Sequence, residues 1–247
     1  VTTPSLLRVV ALSSSLLWCA GCAPTTGEQE FSLEQASALS VSNDGGTVSL
    51  VGGIVPDVIF VNYQIFSDGD GSGASDVLLT AGLSGEEFLV AVETPGPDVW
   101  VELVVSAPAD LPWRVDTDSG DIFLESLTGP GQVRTTSGVI SGGGLEGDVD
   151  VAAEISDVHF EIEIEGSDQV IIELGEGSIE LDVPTPTHAS LEASTDEGVL
   201  TLWSLPFDGD LDSRVANGIL GNGGEASIFL HTAAGNIDLI GSGEEAD

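Results

Sequence analysis

The chain has 247 residues, 32 of them glycine, with 41% hydrophobic residues, 19% charged residues and a formal net charge of −38. That apolar content separates it from disordered acidic tails and gives it a core to bury. The basic residues are Arg8, Arg114, Arg134 and Arg214, with no lysine, so the surface repels nucleic acid and anionic lipid headgroups and attracts cations. The acidity has two readings, solubility in a saline habitat and divalent-ion binding.

At the N-terminus, "VTTPSLLRVVALSSSLLWCAGC" carries one basic residue, an uncharged run from Val9 to Ala20, and small residues before Cys22. It is too short for a membrane span and reads as a signal peptide, residues 1–21. "CAGC" resembles the lipobox of bacterial lipoproteins, which implies cleavage before Cys22 and acylation of that cysteine; Cys19 stands where the usual leucine would be. The alternative is an ordinary signal with an incidental cysteine. Cleavage before Cys22 leaves three basic residues against 42 acidic ones, a net charge of −39, and no second cysteine for a disulfide. Stability then has to come from core burial. Residues 22–30, polar and without apolar periodicity, read as a lipid-anchored tether. By analogy with lipoproteins generally, Ala23 after the cysteine fits outer-membrane sorting, with the periplasmic or surface face undecided.

Residues 31–241 read as one repeat domain, with an irregular part at 31–110, regular coils at 111–241 and an acidic tail at 242–247. "LSVSNDGGTVSL" places Gly46 in a turn, with Leu39, Val41, Val48 and Leu50 facing a core. The alternating runs "DVIFVNYQI", "EEFLVAVE" and "DVWVELVV" predict longer strands with loop insertions. Within this part, Asp68, Asp70, Ser72 and Asp76 occupy the first, third, fifth and ninth places of a calcium-type loop, with Gly73 at the sixth. Leu79 stands where the bidentate glutamate would be, and a plain acidic hairpin loop is the competing reading. No other cofactor is implied.

From Trp113 onward the chain repeats. Aligned on Gly120, Gly138, Ser156, Gly177, Gly198, Gly218 and Gly235, the turns are spaced by 18, 18, 21, 21, 20 and 17 residues. Two places after each turn stand Ile122, Ile140, Val158, Ile179, Leu200, Leu220 and Ile237. Seven places before stand Trp113, Gly131, Val149, Val170, Leu191, Leu211 and Ile228. These columns alternate with polar ones, the signature of strands with one buried face. The pattern predicts an all-β fold, a right-handed parallel β-helix or solenoid with two short strands per coil of about 17–21 residues. The carboxylates of "RVDTDSGDIFLES" then point outward or sit in the bend, as scaffolding and not as a catalytic pair. The same alignment sets Arg134 one coil from Asp116, close enough for an exposed ion pair.

His159, His188 and His231 show no metal-ligand spacing on a single strand and read as surface residues. There is no G-x-S-x-G elbow and no P-loop lysine. Trp113 belongs to a core column, which leaves few aromatics to line a sugar-binding groove.

"LVVSAPADLPWRVDTDSGDIFLESLTG", the repeated T-x-x-G-x-I-x-L units and the closing "FLHTAAGNIDLIG" resemble the bacterial β-strand-repeat proteins named "putative adhesins", over roughly residues 31–241. The resemblance implies a β-helical cell-envelope domain and brings no catalytic residues. The expected function is a non-catalytic envelope lipoprotein, structural or adhesin-like, attached to the membrane through its lipid and meeting an envelope or extracellular ligand. A carbohydrate-active β-helix enzyme, a polysaccharide lyase or hydrolase, is the alternative; the absence of lysine disfavours a polyanionic substrate.

Overall fold

The computed structural model describes residues 25–33, 36–53, 55, 57–68 and 73–243. Among them, regular structure is entirely β apart from one 3-10 turn, Ala74–Asp76. The N-terminal strands are β1 (Thr25–Ser32), β2 (Ala38–Gly45), β3 (Val48–Gly53), β4 (Val58–Ser67), β5 (Leu78–Ser84), β6 (Glu87–Glu93) and β7 (Val99–Pro108). The repeat contributes β8 (Trp113–Ser119), β9 (Ile122–Glu125), β10 (Gly131–Glu146), β11 (Val149–Glu163), β12 (Gln169–Glu176), β13 (Ile179–Pro184), β14 (Ala189–Glu197) and β15 (Leu200–Trp203). The last four are β16 (Phe207–Leu211), β17 (Val215–Leu220), β18 (Ala226–Ala234) and β19 (Ile237–Ser242).

All of them join one large, mostly parallel sheet that bends at a corner. Before the corner the order is β5, β6, β2, β8, β10, β11, β12, β18, β14, β17, β16. After it the order is β1, β4, β7, β3, β9, β10, β11, β13, β19, β15. β10 and β11 run through the corner unbroken, which unites the two arms. The antiparallel pairs lie at the outer ends, β5 on β6, β1 on β4 on β7, and β16 on β17 on β14.

The core follows the period of the repeat, with one column five places before each turn and another two places after it. Val115, Val133, Val151, Ile172, Leu230 and Ala193 are register neighbours on one arm, and Val48, Ile122, Ile140, Val158, Ile179, Ile237 and Leu200 on the other. All are buried. Each contributes about 1.5–3 kcal/mol by leaving water, less for alanine. Gly131, seven places before its turn, and Gly142, four places after the same turn, stand where other units carry apolar side chains, because a large neighbour fills their space. A Cβ on Gly131 would strike the Trp113 indole, and one on Gly142 would strike Leu145 and Phe160.

At the corner the turn residues stack on one another. A Cβ on Gly120 would lie 2.0 Å from the Gly46 carbonyl oxygen, on Gly138 2.1 Å from that of Gly120, and on Gly235 2.0 Å from that of Gly177. Gly46, Gly120, Gly138, Gly177 and Gly235 also have positive φ. No side chain can be added there without moving the adjacent backbone. Ser156 takes its place in the row outside the left-handed region, and its hydroxyl is buried without a partner.

Neighbour order departs from chain order at both ends. β2 and β3 lie between β6–β7 and β8–β9, and β18 and β19 lie between β12–β13 and β14–β15. The turn row therefore runs from Gly177 to Gly235 and then to Gly198, whose Cβ would meet the Gly235 carbonyl oxygen at 1.9 Å. Gly218 is not in the row. Its strand, β17, runs antiparallel to β14 and β16, and its Cβ would meet the Asp208 carbonyl oxygen. Apolar alternation carries no direction, so "VANGILG" passes for a coil that it does not form. Residues 25–30, expected as tether, are also strand. β1 needs no apolar periodicity because main-chain pairing to β4 holds it, and Gly27 makes room for the Tyr63 ring.

Gly138→Ala should cost about 2–4 kcal/mol, since it adds backbone strain and a clash. Gly143→Ala, with open space around its Cβ and no positive φ, should be near neutral. Urea unfolding of the two variants measures the difference.

Candidate functional site

Two carboxylates of the acidic stretch around Gly120, Asp116 and Asp121, are engaged within the scaffold. Asp121 accepts a hydrogen bond from the Val139 N–H (3.0 Å) in the next unit, as Asp157 does from Ser178 (2.8 Å) and Asn236 from Val199 (3.0 Å). An Asp or Asn after the turn thus satisfies a donor of the neighbouring corner. Three places before the turn, the hydroxyls of Thr195 and Thr232 donate to the Gly235 and Gly177 carbonyls, both at 2.8 Å. Asp116 is paired on its own strand with Arg114, Nη2 to Oδ1 at 2.8 Å.

Arg134 does stand opposite Asp116 in register. Its ion pair is nonetheless with Asp150, at 2.6 Å (Nη2 to Oδ2) and 3.1 Å (Nη1 to Oδ1). Asp116 already holds Arg114, so Arg134 reaches diagonally to the next unit, where Gln132 also donates to Asp150 (3.0 Å). These hydrogen bonds, that from Arg134 foremost, hold the Asp150 carboxyl below its ordinary range despite its partial burial.

Of the calcium-loop residues, Asp70 and Ser72 lie outside the described residues, as does Cys22. Asp68 and Asp76 are exposed. The Asp68 N–H donates to the Asp98 carbonyl (2.9 Å), and Gly73 adopts the left-handed turn expected of it.

His159 and His188 are exposed and His231 is half-buried, and the register gives His159 company. His159 Nδ1 is 3.2 Å from Glu180 Oε1, and Asp182 lies on the same patch. His231 Nδ1 meets the Ser194 hydroxyl at 3.0 Å, and His188 Nδ1 accepts the Asn222 N–H at 3.0 Å.

That patch borders a groove on the outer face of the second arm. Register places Phe123, Ser141, His159 and Glu180 in one outward row, and Glu125, Gly143, Glu161 and Asp182 in the adjacent region. Gly143 leaves a slot without side chains, and the ladder slips between Gly142 and Leu145 to accommodate the extra residue. The groove has a volume of about 560 Å³, with Phe123 and Glu125 on one side and His159 and Glu161 on the other. Phe123 is 44% exposed, a large aromatic side chain kept in water beside carboxylates. The arrangement can stack an apolar ligand face and accept hydrogen bonds from hydroxyl or amide donors.

No family model matches the chain, and no curated protein matches it. Among solved structures it is similar to one described as a putative cell adhesion protein from Clostridium sporogenes, at 12% identity and a TM-score of 0.56. That match spans 89% of this chain and 100% of the other. Two proteins described as putative adhesins, from Bacteroides fragilis and Parabacteroides distasonis, match at 10% and 8% identity with TM-scores of 0.32 and 0.26; each match spans 87% of this chain and 97% of the other. The first likeness establishes a shared fold.

Because folding lowers the Asp150 pKa, the Arg134 pair is fully stabilising above the unfolded carboxyl value. Its contribution is lost as pH falls from about 4 through the lower folded value. Both side chains are about one-third exposed, so the effect should be at most about 1 kcal/mol. Asp150→Asn should flatten this part of the stability curve, measured by urea unfolding between pH 5 and about pH 2.

Proposed function

We propose that this chain is a non-catalytic, adhesin-like binding module of the cell envelope, anchored through a lipid on Cys22 and built as a right-handed parallel β-helix. The observation that carries the binding role is the groove beside Phe123. An exposed aromatic side chain, two carboxylates and a side-chain-free slot at Gly143 sit on strands whose buried faces hold them rigid. Rigid presentation limits the entropy lost when a ligand docks. The fold shared with a protein described as a putative cell adhesion protein agrees with this reading. The signal-like N-terminus and "CAGC" support an envelope location in this reading, and Ala23 supports sorting to the outer membrane.

The anchor is tested by Cys22→Ser, which should release the protein from membranes and abolish fatty-acid labelling; unchanged membrane fractionation would contradict acylation. For the groove, the released protein is screened against glycans and envelope proteins. Any ligand found should bind at least about tenfold more weakly to Phe123→Ala, a loss of about 1.4 kcal/mol. Gly143→Phe should block the slot without lowering the melting temperature. Binding untouched by both substitutions would remove the groove from the account, and chemical turnover of a bound glycan would favour the enzyme reading.

A further inference from the structure

We propose that His159, Glu180 and Asp182 form a binding site for a divalent transition-metal ion of the Zn²⁺ type at the edge of the groove, sharing His159 with its wall. The three residues come from two parallel strands, with His159 opposite Glu180 and Glu161 opposite Asp182 in register. One ligand atom from each lies within 4.8 Å of the others, and the closest pair, His159 Nδ1 and Glu180 Oε1, is at 3.2 Å. Bonds of 2.0–2.1 Å in tetrahedral geometry set ligand atoms about 3.4 Å apart. One pair already meets that spacing. Asp182 must close by at most about 1.4 Å, within reach of a rotation of its side chain.

The backbone beneath is fixed, because Phe160 and Leu181, the register pair between these residues, are fully buried. His159 and Glu180 are each about half exposed, 51% and 49% at the side chain, so an ion can enter and water can complete its coordination. Ligand chemistry selects the ion. An imidazole nitrogen with two carboxylates suits Zn²⁺, Co²⁺ or Ni²⁺, whereas Ca²⁺ and Mg²⁺ prefer oxygen alone. The surroundings also call for a cation. Glu161 faces Asp182 and Asp238 faces Glu180 across adjacent strands, an unfavourable like-charge arrangement, and no arginine or lysine lies on β11, β13 or β19. A bound divalent ion would relieve that repulsion.

The test is Zn²⁺ titration calorimetry on the mature chain carrying Cys22→Ser, which removes its thiol, in high NaCl to suppress diffuse ion binding. One saturable ion per chain should bind. Affinity should fall at least tenfold in His159→Ala and also fall in Glu180→Gln and Asp182→Asn, while His231→Ala keeps it. His159 and Glu180 are exposed and Asp182 and His231 half-buried, none of them in the core, so melting curves without metal should stay close to wild type. Co²⁺ should give a visible absorption band that His159→Ala abolishes, and equimolar Ca²⁺ should not displace Zn²⁺. Absence of saturable Zn²⁺ binding, equal affinity in His159→Ala, or displacement by equimolar Ca²⁺ would each overturn the site.

Discussion

The architecture depends on one close contact, the carbonyl oxygen of one corner lying where the next corner's Cβ would be. Strands about 4.8 Å apart leave no room for a side chain that points along the stack at a tight bend. Glycine is thereby required at most of the turns, and its neighbours acquire tasks. Thr195 and Thr232, three places before their turns, donate their hydroxyls to corner carbonyls, and Asp121, Asp157 and Asn236, one place after theirs, accept from corner N–H groups. Threonine before the bend and Asp or Asn after it thus supply hydrogen-bonding partners for the corner backbone, where unsatisfied groups would be costly.

Packing and surface follow from that corner. Once each unit is set on the last, apolar side chains stack into columns on both arms and polar side chains stack into outward rows. The units nearest the two termini, β2–β3 and β18–β19, are each held between two others, and antiparallel strands cover the outer ends. Cutting the chain near either terminus would therefore open the interior of the stack. The outward rows hold Phe123, Glu125, His159, Glu161, Glu180 and Asp182 in fixed positions that loops would not give them, which suits the proposed binding role.

Much of this is legible in the amino-acid sequence. The core columns, the turn glycines and the positions of the 114–126 carboxylates off the core all follow from period and parity. Even the exceptions have physical reasons, since the Trp113 ring fills the space at Gly131 and Phe160 that at Gly142. Neighbour order is not legible, because every unit presents the same columns and any one can follow any other. For the same reason β17, an antiparallel strand, imitates a coil. The diagonal partner of Arg134 depends on Asp116 being already engaged by Arg114, a side-chain choice that spacing does not reveal. The groove was hidden by the slip at Gly142. The His159 cluster, in contrast, was within reach. His159 and Glu180 stand at the same offset from Ser156 and Gly177, so the alignment puts them side by side, while a search along single strands misses them.

Neighbour order can be read directly with paired cysteines in a Cys22→Ser background. Glu173 lies beside His231 in register, and His231 beside Ser194, so Glu173 and Ser194 are two strands apart. Adjacent strands bring Cα atoms to about 4.8 Å, within disulfide range, and a two-strand separation of about 9.6 Å is outside it. Under mild oxidation, Glu173→Cys with His231→Cys should cross-link within the chain, and Glu173→Cys with Ser194→Cys should not. The opposite result, a bridge between positions 173 and 194 and none between 173 and 231, would mean that the units stack in chain order and would contradict the placement of β18–β19.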